Sequence, residues 1–170
     1  VLLSYNFGQY EDALAQLGSR QTVQYGGAQG MYFVVSDCFL SALVRLANFA
    51  QADKACRKRL MRQIAVNLKK MKRWARANPA NILNKLKLIQ AERLRVSGQD
   101  FKAHELYDAS IELAREQGFI HEQALANELC GAMHSAAGRA TLAEPYLNKA
   151  RDLYRHWGAL AKVADLEKRY

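Results

Sequence analysis

Four glycines, Gly98, Gly118, Gly138 and Gly158, fall twenty residues apart, each closing a stretch in which apolar residues recur at helical spacing. Glycine is the usual residue just past a helix end, because without a Cβ it enters the left-handed backbone region at no steric cost. The spacing predicts helices over about 80–97, 100–117, 120–137, 139–157 and 159–169. Asn78 followed by Pro79 is a start signal for the first of these, an N-cap residue with proline at the first helical position. Helices of similar length joined by tight turns must be antiparallel neighbours. The expected fold class is all-α, a solenoid of about three and a half antiparallel helix hairpins.

A finer pattern sits inside that frame. GQYEDA (Gly8 to Ala13), GQDFKA (Gly98 to Ala103) and GRATLA (Gly138 to Ala143) each place an alanine five residues after the turn glycine. An alanine one turn into the second helix of a hairpin lets the two backbones approach closely. The second helix continues with Tyr107, Ser110 and Leu113 in one unit and with Leu147, Ala150 and Leu153 in the next, a repeat of forty residues. The order Ala91, Gly98, Ala103, Tyr107, Ser110 and the order Gly131, Gly138, Ala143, Leu147, Ala150 resemble the tetratricopeptide pattern. Ordinary tetratricopeptide repeats run to about 34 residues, so these are longer relatives. Gly8 to Leu17 resembles the second half of a hairpin whose first helix is missing. With Val1 in place of a methionine, this suggests a piece of a longer chain.

The strings KKMKRWARANPAN, ELYDASIELAREQGFIHEQALANEL and ARDLYRHWGALAKVADLEKRY resemble the helical segment of very large bacterial signalling proteins, over roughly residues 30–170. In that family a serine/threonine kinase-like domain and a STAND-type ATPase domain precede the segment, and GAF and sensor histidine kinase domains follow it. The resemblance implies a place in such an architecture, with the ATPase and kinase chemistry outside these residues.

Residues 28–77 fit the forty-residue register poorly and read as two longer helices. The first covers about 29–49, with Met31, Val34, Val35, Cys38, Leu43 and Leu46 on its apolar side, and the second about 53–77. The chain thus divides into a half repeat (1–27), a degenerate hairpin (28–77), two repeats (78–118 and 119–158) and a capping helix (159–170) of one helical domain. Pro145 falls inside an expected helix and predicts a kink or a late start there.

The formal charge of +9 is concentrated: twelve basic residues and no acidic one lie between Lys54 and Lys87. On the second long helix, Leu60, Ile64, Leu68, Met71 and Ala75 form an apolar stripe. Lys58, Arg62, Lys69, Arg73 and Arg76 form a basic stripe opposite to it. Such a face suits docking to an acidic protein surface, to anionic lipid or to phosphates, or is simply solvated. No helix-turn-helix, zinc-binding or aromatic-interleaved basic motif accompanies it, which argues against nucleic acid.

By the tetratricopeptide resemblance, a partner-binding groove would be lined by Lys85, Leu88, Glu92 and Arg95 from one repeat and by Leu125, Glu128, Ala132 and Ser135 from the next. The set lacks the Lys/Asn cluster of a carboxylate clamp. Cys130 and His134, four apart on one helical face, could share a metal, but two ligands do not close a site, and core packing is the simpler reading. His121-Glu122 resembles the start of a zinc-protease helix, yet Leu125 stands where the second histidine belongs. Trp157, with Tyr154 and Gly158, is expected to plug the end of the stack.

No Ser/His/Asp set and no phosphate-binding glycine loop occurs, so neither an enzyme activity nor a cofactor is expected. There is no apolar run long enough to span a bilayer, and three cysteines without metal-ligand spacing read as reduced thiols of a cytoplasmic protein. The expected function is a noncatalytic protein-interaction and relay module between an ATPase and a histidine kinase. Exposed ends, the N-terminal one above all, would favour self-association. The alternatives are the inducer-sensing helical domain of a STAND-type transcription regulator and a free-standing peptide-binding adaptor.

Overall fold

The computed structural model describes residues 1–19 and 32–170, which are helical with no strand among them. Met31 and the boundary expected at 27/28 lie outside the described residues. The described elements are α1 (Leu2–Asn6), α2 (Tyr10–Ser19), α3 (Tyr32–Ala47), α4 (Lys54–Ala77), α5 (Pro79–Arg95), α6 (Asp100–Glu116), α7 (Ile120–Ala136), α8 (Ala140–Trp157) and α9 (Leu160–Arg169). Consecutive helices pack together from α1 to α4 and again from α6 to α9, an all-α arrangement of helix hairpins of the solenoid class. Packing divides the chain into two compact units, Val1–Ile82 and Leu83–Tyr170.

The turns share one construction. Gly98, Gly118, Gly138 and Gly158 have φ of 72°, 71°, 70° and 86°, and Gly8 has 75°. At Gly98 the glycine N–H donates to the carbonyl of Arg95 at 3.0 Å, and the next N–H, of Gln99, reaches back to Leu94 at 3.0 Å. This pair of bonds satisfies carbonyls that the helix end would leave orphaned. It recurs at Gly118 (to Arg115, with Phe119 to Ala114), Gly138, Gly158 and Gly8.

In the first unit, α1 and α2 pack together and α2 packs on α3. The short helix α1 stands where the sequence suggested that no first helix was present. Ala13, five residues after Gly8, is fully buried. The consecutive residues Ser41, Ala42, Leu43 and Val44 are all buried, so α3 is enclosed on several sides. α4 begins at an N-cap, the Asp53 carboxylate accepting from Cys56 N–H at 2.7 Å. Its buried residues are Leu60, Ile64, Leu68, Met71 and Ala75, the stripe read from the sequence. Between α3 and α4, the Asn67 amide donates to the Cys38 carbonyl and to Ser41 Oγ, each at 3.1 Å. Pro79 opens α5 after Asn78, whose side chain accepts from Asn81.

The second unit is built round α7, in which Ala124, Ala126, Cys130 and Met133 are buried together with Glu122, Asn127, Glu128 and His134. α6 and α8 pack on it and α9 packs on α8. Ala103 and Ala143 are buried, and Ala143 lies where α8 approaches α7. Gly131 is another crossing point. A Cβ placed there would lie 2.7 Å from Leu147 Cγ and 3.2 Å from the Ala143 carbonyl.

Two expectations need correction. Of the two outcomes expected at Pro145, a kink or a late start, the late start does not occur: α8 starts at Ala140, with Pro145 inside it. Thr141 and Pro145 are both exposed, so water can serve the carbonyl that Pro145 leaves without a donor. Trp157 is no buried plug. It is 50 % exposed and stacks on His121 with ring centroids 5.1 Å apart, while Tyr154 is the buried residue.

Candidate functional site

Three groups of side chains carry chemistry. The first is the outer face of α4. Lys58, Arg62, Lys69, Arg73 and Arg76 are all exposed, as are Lys54, Arg59, Lys70 and Lys72 on the same helix. α4 itself holds no acidic residue, and none of the five makes an ion pair among the described residues. The apolar stripe of α4 is already buried, and Val66 is the large apolar residue of this helix left exposed. What α4 offers outward is charge.

The second group is the expected groove, and here the sequence reading is revised. Lys85, Leu88, Glu92 and Glu128 are buried, so they do not line an open groove. The Lys85 ammonium lies 2.8 Å from Glu122 Oε2 and sits over the Phe119 ring at 4.6 Å from its centroid. Asn84 donates to the same Glu122 oxygen. Burial pushes the Glu122 carboxyl upward, but His121, Lys85 and Asn84 outweigh it, and the group titrates below the ordinary glutamate range. Glu92 accepts from the Tyr107 hydroxyl and from both arms of the Arg95 guanidinium, at 2.9 and 2.7 Å. Glu128 accepts from Tyr154 at 2.9 Å, Lys162 at 2.7 Å and Arg169 at 3.1 Å.

A buried acid facing lysine, arginine or tyrosine from a neighbouring helix fixes how the helices dock, because removing one partner strands the other without solvent. These charges are internal fasteners. Of the remaining positions, Arg95, Leu125 and Ala132 are half-buried and Ser135 is exposed. Ser135 borders an open cleft of about 730 Å³ that is also lined by Arg151, Leu166, Arg169 and Tyr170.

The third group was only half visible in the sequence. Cys130 and His134 lie on one face of α7, and His104 of α6 closes on them. His104 Nδ1 is 2.9 Å from His134 Nε2 and 3.7 Å from Cys130 Sγ. On the other edge of the ring, His104 Nε2 lies 3.4 Å from Asp108 Oδ2. Tyr146 of α8 donates to Asp108 Oδ1 at 2.7 Å, and its ring stands edge-on to His104 at 5.7 Å. Burial, then the neighbouring Asp108, pushes the Cys130 thiol up to about 12. Burial, with His104 and Arg139 nearby, holds His134 below the usual imidazole value. His134 Nδ1 is buried without a hydrogen-bond partner. Sequence reasoning missed His104, Asp108 and Tyr146 because the ligand atoms meet only when α6, α7 and α8 pack, and no fixed spacing joins residues on three helices.

Among the described residues no helix is long and apolar enough to cross a membrane. Comparison with known proteins finds no family model, no curated protein and no solved structure that matches the chain.

Proposed function

We infer that the chain is a noncatalytic protein-interaction module that docks an acidic protein surface on the basic face of α4. The observation that carries this reading is the exposure of Lys58, Arg62, Lys69, Arg73 and Arg76 on a helix whose apolar stripe is buried. A lipid-binding amphipathic helix needs an apolar face to insert, and in α4 that face is taken. A protein surface needs only complementary charge, which steers encounter and fixes orientation.

In the architecture that the sequence resembles, the acidic surface belongs to a flanking domain, and the module relays a signal between an ATPase and a histidine kinase. Occupancy of the module would then favour one of two packings of its neighbours. The test is calorimetric binding of the chain to each flanking domain of the parent protein. Binding that weakens steeply with salt, and is lost on reversing Lys69, Arg73 and Arg76 to glutamate, is the expected result. Failure to bind any flanking domain sinks the proposal. The cleft beside Ser135, with Arg151 and Arg169 in its wall, favours a second reading as the inducer-sensing domain of a transcription regulator. A DNA-binding domain in the parent protein would select it.

A further inference from the structure

The cluster between α6, α7 and α8 has no part in docking through α4. His104, Cys130 and His134 each bring one ligand atom within 4.8 Å of the other two, and His104 Nδ1 faces both His134 Nε2 and Cys130 Sγ. Tetrahedral zinc, with Zn–N near ~2.0–2.1 Å and Zn–S near ~2.3 Å, sets neighbouring ligand atoms roughly 3.3–3.6 Å apart. The observed 2.9 Å and 3.7 Å contacts bracket those spacings, so an ion fits after the two imidazoles part by a few tenths of an ångström.

The surroundings are those of a ligand set. Asp108, facing His104 Nε2, favours the proton on that nitrogen and turns the bare Nδ1 toward Cys130 and His134. A carboxylate behind a ligating imidazole holds its tautomer and raises its basicity. Tyr146 holds Asp108 in turn. His104 is about a third exposed, which gives an ion a route in.

We propose that His104, Cys130 and His134 bind one zinc ion through Nδ1, Sγ and Nε2, leaving the fourth position to water. One thiolate and two imidazoles suit a borderline-soft cation and exclude magnesium and calcium, which take oxygen ligands. Binding balances without electron transfer. The Cys130 thiol gives its proton to solvent as the Zn–S bond forms. The His134 ring proton passes from Nε2 to Nδ1, and hydration waters leave the ion. The metal then ties α6 to α7.

Cobalt(II), titrated into the full chain, reads the site. The expected result is one ion per chain, with a thiolate-to-cobalt charge-transfer band and tetrahedral d–d absorption, displaced by equimolar zinc. Cys130→Ser abolishes the charge-transfer band. His104→Ala weakens binding about 100-fold, and Asp108→Asn about 10-fold. Cys56→Ser, in α4, leaves the spectrum unchanged. His104 and Asp108 are half-buried and exposed, so their variants remain folded and informative by circular dichroism even where Cys130→Ser does not. Absence of a one-to-one complex at micromolar protein overturns the proposal, as does a charge-transfer band that survives in both Cys130→Ser and His104→Ala.

Discussion

Gly131 and Gly138, seven residues apart, are glycines for opposite reasons. At Gly138 the backbone has φ of 70° and a Cβ would meet nothing within 4 Å, so alanine there costs only conformational strain, about 1 kcal/mol. At Gly131 the backbone is helical and alanine gains propensity, but its Cβ drives into Leu147 and the Ala143 carbonyl. Overpacking of about 1–3 kcal/mol outweighs the gain of about 1 kcal/mol. Urea unfolding of both alanine variants will show similar losses, and asparagine separates them. Asparagine tolerates the left-handed region and recovers part of the loss at Gly138, whereas its greater bulk deepens the loss at Gly131.

Glu122 gives the pH dependence at the same scale. Its folded-state pKa lies below the unfolded value of about 4.3, so its stabilising contribution is complete above that value and drains away as pH falls through the folded pKa. Glu122→Gln removes the carboxylate counter-charge 2.8 Å from the buried Lys85 ammonium and is expected to cost about 3 kcal/mol at pH 7. The gap between wild type and this variant should narrow on acidification below about pH 4. A gap that stays constant would show that another carboxyl controls acid unfolding. The sequence displayed Glu122 beside His121 but not Asn84 or Lys85, whose contacts arise only from helix packing.

Among the elements, α4 was the most legible, because a helix with one buried side prints its period directly on the sequence. Leu60, Ile64, Leu68, Met71 and Ala75 lie on the predicted face and Asp53 caps the start. Leu68→Ala is expected to cost about 2–5 kcal/mol, while Lys69→Glu, one residue on, changes stability by no more than about 0.5 kcal/mol. Thermal unfolding of the two variants separates core from surface and guards the docking test against unfolding as the cause of lost binding.

α5 and α7 were the least legible. Helices enclosed on several sides bury polar residues on faces that periodicity alone assigns to a ligand groove. Lys85, Glu92 and Glu128 were misread for that reason: a charged residue in a sequence looks solvent-facing until its buried counter-charge is located. The His104 cluster needed three helices to assemble. At Pro145 the late start was the part misread, since the exposed side of α8 lets solvent absorb the missing bond.

For the molecule as a whole, the turn glycines gave the helices from α5 onward to within two residues, and the alanine five places after Gly8, Gly98 and Gly138 marked a buried position each time. The repeat register faded over residues 28–77; of the two longer helices expected there, α4 runs to 24 residues, while the described part of the first, α3, has 16 and is no longer than the repeat helices. The second unit has a core of its own, including Ala124, Ala150, Tyr154, Val163 and Leu166, together with the buried Lys85–Glu122 and Lys162–Glu128 pairs. Residues 79–170, produced alone, are expected to be helical and to unfold in one cooperative urea transition. A broad, featureless melt would show that this core depends on the preceding residues.

Because the same two-bond clasp closes each of these turns, the helices between them end in interchangeable joints. A gene segment that starts just after one such glycine and stops at the glycine forty residues later can be copied in tandem without altering the geometry at either seam. Lengthening by duplication is therefore open to a chain of this kind. Deleting a single helix is not, since it would reverse the direction of every helix downstream.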